Sequence, residues 1–452
     1  MSLKLHNTLT RQKEPFVPIA DDHIGIYACG PTVYDLIHVG NARPLVVFDV
    51  LVRLLRHLYP RVTYVRNITD VDDKINMRAT DRDISISQLC EDTIACFHDD
   101  AKKLYVMAPD IEPRATHHID DMIQMITNLI AKGHAYEAEG HVLFAIGSMK
   151  AYGQLSKRTL DMMRAGARVE VAPYKKDAGD FVLWKPSMAD LPGWDSPWGR
   201  GRPGWHIECS AMSAKYLGKT FDIHAGGLDL IFPHHENEIA QSCCAHETTH
   251  MANYWVHNGY VTVEGEKMSK SLGNFTTVND ALSKHRGEAI RYALLNAHYR
   301  APLDYSDKAV TEAKQALDRL YRAAEDVIPS EAPHAEFLTA LQDDLNTPLA
   351  LSVLHKLAKA ANQGDQKAAA DLKASAMMVG LLNDSEESWA KGGGHNDATG
   401  PSDAAIEAQI ALRQQARANR DFAAADAIRD ALAKDGVILL DGADGTSWER
   451  QS

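Results

Sequence analysis

Four separated side chains form the most chemically informative set in the sequence: Cys29, Cys209, His234 and Glu238. Sulfur, nitrogen and oxygen donors together favour zinc. His234 and Glu238 are four positions apart and would share one face of a helix, with two remote cysteines completing four ligands. Spacing alone leaves the choice open, because His235 and Glu238 are also neighbours at three positions and such clusters are usually polar helix surface.

Two further motifs carry groups suited to phosphate chemistry. His38 and Gly40 stand where a strand passes into a helix, where free N–H groups and the helix dipole attract phosphate. The segment 267–271, Lys-Met-Ser-Lys-Ser, places two ammonium groups between Gly265 and Gly273, and such groups offset the charge that builds on leaving pyrophosphate. Each motif alone is weak evidence, since a turn histidine or a solvated basic loop is common. Together they indicate an enzyme that activates an acid with ATP.

The pattern of apolar residues predicts the elements that position these groups. A strand over 24–29, a helix over 41–59 and a strand over 62–68 form a βαβ unit, which places the first turn at the carboxyl edge of a parallel sheet, where ligands bind. Helices follow over 73–105 and 117–132. Residues 133–150 read as short strands, and the Pro-, Gly- and Trp-rich stretch from Trp184 to Trp198 reads as irregular chain.

The chain then returns to the sheet at 219–231 and adds a strand over 254–263, so the nucleotide domain is split. The fold class is α/β: a Rossmann-like parallel-sheet catalytic domain split by an insertion, followed by a helical bundle and a small C-terminal α/β module. The expected boundaries are 1–115 and 201–276 for the catalytic halves, 116–200 for the insertion, 277–384 for the bundle, 385–403 for a linker and 404–452 for the module.

Composition limits the class of protein. The 452 residues are 45% hydrophobic, enough for a large core. The start lacks a long apolar segment, no stretch is long enough to span a membrane, and six cysteines without a secretion signal argue against a disulfide framework. We therefore expect a cytoplasmic protein. A net charge of -13 neither predicts nor excludes RNA, which would need a local basic surface.

Longer blocks of sequence resemble one known family. Both phosphate motifs look like those of class I aminoacyl-tRNA synthetases, and four blocks are similar to the cysteinyl-tRNA synthetases in particular: residues 27–35, 67–74, 202–210 and 232–238. Asn41 replaces the second histidine of the class motif and keeps a hydrogen-bonding side chain. Ala225 stands where a glycine is usual, and we expect it to restrict a loop slightly.

The resemblance implies a role for each candidate residue. It selects Cys29, Cys209, His234 and Glu238 as ligands of one Zn²⁺ per chain, which would separate cysteine from serine without an editing domain. Mg²⁺ would accompany ATP. The remaining implied roles are catalysis by His38, Lys267 and Lys270, ATP binding by His38, Gly40, Asn41, Lys267, Ser269 and Lys270, and amino-acid binding by Thr69, Trp205 and Asp229.

The resemblance also implies the partners tRNA(Cys), ATP and L-cysteine, and a monomer. The bundle would contact the anticodon stem, and the C-terminal module would read the anticodon, with Trp448 stacked on an unstacked base. One rival is a ligase that transfers activated cysteine to the amine of an amino sugar, although such a ligase needs no anticodon module. A second rival is a non-catalytic RNA-binding relative. The intact lysine motif argues against it, because such a relative would not need these catalytic residues.

Overall fold

The computed structural model describes residues 2–159, 162, 172–263, 265–267, 275–390, 401–442 and 445–450. Their helices, in chain order, are α1 (Val39–Leu58), α2 (Asp73–Arg82), α3 (Ile86–Lys103), α4 (Ile119–Ala131), α5 (Trp205–Leu217), α6 (Glu236–His246), α7 (Val278–Lys284), α8 (Gly287–Leu295), α9 (Asp307–Ala323), α10 (Ala335–Gln342), α11 (Thr347–Ala361), α12 (Gln366–Met378), α13 (Glu386–Ala390), α14 (Asp403–Ala418) and α15 (Phe422–Lys434).

The strands, also in chain order, are β1 (Lys4–Asn7), β2 (Gln12–Pro15), β3 (Ile24–Ala28), β4 (Val62–Arg66), β5 (Ala135–Ala138), β6 (His141–Phe144), β7 (Phe181–Pro186), β8 (Gly201–Pro203), β9 (Phe221–Gly227), β10 (Ala252–Asn258), β11 (Val261–Val263), β12 (Glu266–Lys267), β13 (Leu303–Tyr305), β14 (Val437–Gly442) and β15 (Gly445–Arg450). None of the helices in the described part of the chain combines the length and apolar character needed to cross a membrane.

A four-stranded parallel sheet in the order β10-β9-β3-β4 organises the amino-terminal half. Every residue of β3 is buried, as expected for a central strand covered on both faces. Helix α1 connects β3 to β4, which confirms the predicted βαβ unit. The sheet is split in sequence, because β9 and β10 follow the insertion that contains α4 and the antiparallel sheet β5-β6-β7-β8.

Two local expectations from the sequence are wrong in part. The stretch from Trp184 to Trp198 is irregular except at its start, where Trp184 is fully buried in β7, which pairs with both neighbouring strands. The helical stretch expected over 73–105 is confirmed as two helices, because Asp83 adopts a left-handed conformation (φ 52°) and Ser85 caps the second. The strand expected over 254–263 breaks at Gly259, so that β10 belongs to the parallel sheet and β11 to a separate sheet with β12 and β13.

The carboxyl-terminal part is helical, as expected. Helices α7 to α12 pack as a bundle whose buried apolar residues join the core beneath the parallel sheet. The expected linker begins with an ordered helix, α13, in which the Trp389 ring stacks on that of Tyr321 (centroids 4.6 Å apart). Helices α14 and α15 and the hairpin β14–β15 form a small unit with its own core.

A buried ion pair joins the sheet to the bundle. Arg291 of α8 pairs with Asp49 of α1, and its other donors reach Val379 O (2.7 Å) and Leu104 O (3.1 Å). Burial opposes ionisation of Asp49, but the charges of Arg291 and Arg53 outweigh it and lower the pKa of Asp49. Helix α1 is therefore tied to the bundle by a polar contact as well as by apolar packing.

Gly287, the first residue of helix α8, lies close against the end of α3. A Cβ added there would lie 1.9 Å from Lys103 O, whereas a Cβ at Gly147 would meet nothing within 4 Å. We predict that Gly287→Ala lowers the free energy of unfolding by about 1–3 kcal/mol through overpacking. Gly147→Ala should change it by about 0.5 kcal/mol or less. Urea unfolding followed by circular dichroism measures both, and equal midpoints for the two variants would contradict the packing described.

Candidate active site

The four predicted metal ligands lie together at the carboxyl edge of the parallel sheet. Cys29 follows β3, Cys209 lies on α5, His234 lies in a short π-helical turn (Ile231–His235) and Glu238 lies on α6. Their ligand atoms are all within 4.8 Å of one another. Cys29 Sγ is 3.9 Å from Cys209 Sγ and 3.8 Å from Glu238 Oε1, and His234 Nε2 is 3.0 Å from Glu238 Oε1.

The strand pairing explains where Cys29 stands. Ala28 pairs with Ala225 of β9, and the N–H of Cys29 donates to Ala225 O at 3.1 Å, which carries the parallel ladder one residue beyond β3. Ala225 is thus a buried strand residue. The expectation that it restricts a loop is wrong, because the loop begins only after Gly227.

A second set of donors overlaps the first. Cys29, His224, His235 and Glu238 also place their ligand atoms within 4.8 Å of one another. Cys29 Sγ is 3.3 Å from His235 Nε2, and His224 Nε2 is 2.9 Å from Glu238 Oε2. Sequence reasoning weighed His235 but missed His224 and its neighbour His257. His224 lies in the middle of β9 and His257 near the carboxyl end of β10, and their place on strands of the parallel sheet is the signal that could have indicated them.

Contacts behind the cluster distinguish the two sets. His235 Nδ1 shares a hydrogen bond with His257 Nε2 (2.8 Å), and His257 Nδ1 in turn contacts Thr8 Oγ1 (2.8 Å). His224 holds the second oxygen of Glu238 and leaves Oε1 to face His234 and Cys29. A histidine that orients a ligand carboxylate is typical of the residues around a metal site. The geometry therefore favours Cys29, Cys209, His234 and Glu238 as the ligands, with His224 and His235 supporting them.

The donor set fits the ion that the sequence predicts. Ligand distances of about 2.3 Å for sulfur and about 2.0 Å for nitrogen or oxygen place tetrahedral donors about 3.3–3.8 Å apart. The three separations given above, from 3.0 to 3.9 Å, bracket that range, and the remaining ones are within 4.8 Å. Two sulfurs, an imidazole and a carboxylate thus form a compact group that could hold a metal ion.

The cluster is buried, and its pKa values are strongly perturbed. A hydrogen bond from the Cys29 thiol lowers the pKa of Cys209 to about 6, against the effect of burial. Burial raises the pKa of Cys29 well above its ordinary value. At Glu238 burial opposes the charge, but His224 and His234 outweigh it and lower the pKa to about 2. Burial likewise opposes the charge on His234, while Glu238 raises the pKa of His234 to about 10.

Two of the three expected amino-acid-binding residues border the cluster. The ring of Trp205 stacks on the His234 imidazole with centroids 4.2 Å apart and remains 39% exposed. Thr69 is buried and donates its hydroxyl to Glu208 Oε2 (3.0 Å), next to Cys209 in the chain. Asp229 is exposed in the turn that follows β9, at the same edge of the sheet.

The first phosphate motif forms the start of helix α1. His38 is the N-cap residue: its Nδ1 accepts from Gly40 N at 3.1 Å, and its own N–H donates to Asn41 Oδ1 at 3.2 Å. Asn41 therefore completes a capping box, a role that needs hydrogen bonding and no positive charge. This arrangement exposes the positive end of the helix dipole at the edge of the sheet.

The residue that follows the lysine motif lies against the start of this helix. Lys267 ends β12, with its backbone paired to Thr262, while Ser269 and Lys270 lie outside the described residues. Beyond the motif, the Phe275 ring meets the His38 ring edge to face with centroids 5.1 Å apart. The structure thus brings His38 and the downstream end of the lysine motif together.

One expected aromatic contact in the C-terminal unit is wrong. Trp448 is only 3% exposed, belongs to the small core of that unit and donates its indole N–H to Glu407 Oε1 (2.7 Å). It cannot offer its face to a base, because pairing of β14 with β15 turns it inward. The large exposed aromatic of the unit's described residues is Phe422, 62% exposed at the start of α15, which sequence reasoning missed.

Two family models match the chain. The model described as "tRNA synthetases class I (C) catalytic domain" matches residues 15–315, and the model described as "DALR domain" matches residues 336–384. The first match spans the parallel sheet, the insertion and the cluster of four donors. The second lies within the helical bundle.

Curated proteins match along the full chain. A cysteine–tRNA ligase of Acidiphilium cryptum is 59% identical over 453 residues, covering 100% of each chain. A cysteine–tRNA ligase of Paramagnetospirillum magneticum is 60% identical over 462 residues, again covering 100% of each. Among solved structures, a Mycobacterium tuberculosis methionyl-tRNA synthetase with methionyl-adenylate has a TM-score of 0.55 at 16% identity, covering 79% of this chain and 89% of that one. This last likeness supports the fold.

The two overlapping donor sets make different predictions for metal content. If Cys209 is a ligand and His235 a supporting residue, Cys209→Ala should reduce bound metal from about one ion per chain to about a tenth or less, whereas His235→Gln should retain most of it. Cys243→Ala is the matched control, since Cys243 is a buried cysteine of α6 outside both sets. Elemental analysis after gel filtration measures the content. Loss of metal from His235→Gln but not from Cys209→Ala would favour the second set.

Proposed function

The chain belongs to the cysteine–tRNA ligase family of class I tRNA synthetases, and on that premise we propose that Cys29, Cys209, His234 and Glu238 hold a zinc ion that selects the substrate thiol. The enzyme is an aminoacyl-tRNA synthetase that uses ATP to join cysteine to tRNA. The amino-sugar ligase is not favoured, because the cysteine–tRNA ligases match the full length of the chain. The observation that carries the proposal is the buried set of four donors at the sheet edge.

Activation of cysteine requires an attack on ATP beside this cluster. A carboxylate oxygen of cysteine forms a bond to the α-phosphorus, and the bond from that phosphorus to the bridging oxygen breaks, so that cysteinyl-adenylate forms and pyrophosphate leaves. The N-terminus of α1, with Gly40 and Asn41, binds the nucleotide, and Mg²⁺ accompanies the ATP. His38, Lys267 and Lys270 stabilise the charge that develops on the phosphates, with Ser269 contributing to ATP binding.

The amino-acid pocket is proposed to lie between the cluster and the sheet edge. Trp205 closes one side with the exposed face of its ring, Thr69 and Glu208 line the base next to Cys209, and Asp229 faces the substrate ammonium. Burial raises the pKa of Glu208 well above its ordinary value.

Serine is the difficult competitor, because it differs from cysteine by one atom. Differences in shape of this size discriminate by only about 1–3 kcal/mol. When bound to the four donors, zinc supplies a thiophilic Lewis acid for which a thiolate is a far better partner than a hydroxyl. The contacts of His224 with Glu238 and of His235 with Cys29 keep these donors oriented toward one point, and Trp205 limits the entry of water.

Transfer to tRNA completes the reaction. By resemblance to class I enzymes, we propose that the 2′-OH of the terminal ribose attacks the adenylate carbonyl and that AMP leaves. The bundle (277–384) contacts the tRNA stem, and the module at 404–452 reads the anticodon, with residues 385–403 connecting them. A monomeric state, a cytoplasmic location and the division of the catalytic domain at 1–115, 116–200 and 201–276 remain predictions.

Zinc selection predicts a specific pattern of substrate use. The wild-type enzyme should support cysteine-dependent exchange of pyrophosphate into ATP and acylate tRNA(Cys), while serine should be activated at least about 10³-fold less efficiently, since the donor preference adds to the small steric term. Cys209→Ala should lose cysteine activation, and Cys243→Ala should keep it. Activation of serine as fast as that of cysteine would contradict the proposal that zinc selects the substrate. Acylation of an amino sugar without acylation of tRNA would instead support the rival ligase.

Exposure of Phe422 predicts which aromatic residue of the C-terminal module contacts RNA. Stacking of a base on an exposed aromatic contributes about 1–3 kcal/mol, so Phe422→Ala should lower kcat/KM for tRNA about tenfold or more and leave pyrophosphate exchange unchanged. Leu412→Ala is the matched control, because Leu412 is an exposed apolar residue of the same module. Steady-state acylation with varied tRNA measures both. Equal kcat/KM values for the two variants would contradict the prediction that Phe422 contacts RNA.

A further inference from the structure

Arg43 is a fully buried arginine in the second turn of helix α1, five positions after His38. Its guanidinium donates from Nη1 to Gly259 O (3.0 Å) and Tyr260 O (2.9 Å) and from Nη2 to His298 O (3.0 Å). Among the described residues no carboxylate forms an ion pair with Arg43. The hydrogen bonds of this buried cation therefore all go to backbone carbonyls.

Such an arrangement needs a reason beyond packing. A buried charge is costly unless it is paired, and the other fully buried arginine, Arg291, does pair with a carboxylate, Asp49. An aliphatic side chain would fill the position of Arg43 without that cost. What only arginine supplies is a planar fork of donors that fixes several acceptors at once. The position of the carbonyl groups that Arg43 binds should therefore matter for the activity of the enzyme.

Those acceptors mark the point where the chain leaves the parallel sheet toward the lysine motif. Gly259 and Tyr260 connect β10 to β11, and β11 pairs with β12, which ends at Lys267. The connection is closely fitted on its other side. Gly259 N donates to Tyr299 O at 2.7 Å, and a Cβ at Gly259 would lie 2.6 Å from Ala301 O. The direction in which β11 starts is thus set by Arg43 on one side and by the loop before β13 on the other.

The downstream end of the lysine motif is attached to the same helix by its backbone. Val39 N donates to Thr276 O at 3.1 Å, and Val278 N donates to Ile37 O at 2.8 Å. His38 itself forms an isolated bridge with Thr277. The segment that carries Lys267 and Lys270 therefore both leaves from and returns to the first two turns of α1. Arg43 is the side chain that makes the upstream attachment.

We propose that Arg43 is a positioning residue for amino-acid activation: by holding the carbonyls of Gly259 and Tyr260, it fixes the upstream end of the lysine motif relative to His38. This inference rests on the proposed roles of His38 and Lys267. The metal cluster is placed by β3, β9, α5 and α6, none of which Arg43 contacts through the hydrogen bonds described. Its loss should therefore weaken stabilisation of the transition state and leave cysteine binding intact.

Arg43→Lys and Arg43→Met test this inference, with Arg291→Lys as the matched control. A lysine keeps the charge but not the fork, so pyrophosphate exchange by Arg43→Lys should show kcat lower by about tenfold, and Arg43→Met by about a hundredfold, because small misplacements of catalytic groups are costly. KM for cysteine should stay within about threefold of the wild type. Arg291→Lys should lower the melting temperature as Arg43→Lys does, with kcat unchanged. All rates are measured well below the lowest melting temperature.

The outcomes separate positioning from stability. The graded loss of kcat at Arg43, absent from Arg291→Lys, would support the proposal. Wild-type kcat in both Arg43 variants, or an equal loss in Arg291→Lys, would overturn it, since the effect would then be absent or general to the fold. If Arg43→Met fails to fold, the comparison of the two lysine variants decides in the same way. A wild-type protein without cysteine-dependent exchange would contradict the proposed function, whereas active wild-type protein with unaffected variants contradicts only this inference.

Discussion

The parallel pairing of β3 with β4 on one side and β9 on the other is the constraint on which the active site depends. In this register Ala28 stands opposite Arg66 and opposite Ala225, so β3 and β4 end at one level and β9 continues to Gly227. Cys29, Asn67 and Gly226 are the next residues, and the side chains that follow them converge on the same edge. Gly30 is needed here, since a Cβ would lie 1.6 Å from Asn67 O. A shift in register would separate the donors.

Helix α1 adds a second constraint to the first. Its N-terminus presents His38, Gly40 and Asn41, its second turn holds the chain that leads to Lys267 through Arg43, and its middle pairs with the bundle through Asp49. One rigid element thus relates the nucleotide motifs, the sheet edge and the helical bundle. Because catalysis of adenylate formation depends mainly on positioning and electrostatics, a rigid common reference for these groups is a direct contribution to the rate.

The sequence was sufficient for the fold class, the βαβ unit, the split of the catalytic domain and the four-donor cluster, because each is encoded in local periodicity or in specific blocks of residues. It failed where the outcome depends on distant pairing. Trp184 was expected in irregular chain, because its strand β7 is defined only by pairing with β6 and β8. Trp448 was expected to be exposed to a base, because only the pairing of β14 with β15 buries it. His224, His257 and Arg43 were missed because their partners are remote in sequence and come together only in the folded sheet.

Burial of the cluster constrains the charge that it can hold. Cys29, Cys209 and Glu238 would carry three negative charges if all were ionised, and Cys209 and Glu238 are buried while Cys29 is partly buried. The surrounding histidines supply little compensation, because burial lowers the pKa of His206 and His257 to about 3 and that of His235 well below its ordinary value. Glu238 raises the pKa of His234 and holds it in the charged form. A divalent cation bound by the four donors would supply the missing positive charge and return His234 to the neutral form that binds metal. The same neutral histidines would then serve as hydrogen-bonding supports, so the network suits a metal site better than an isolated ion pair.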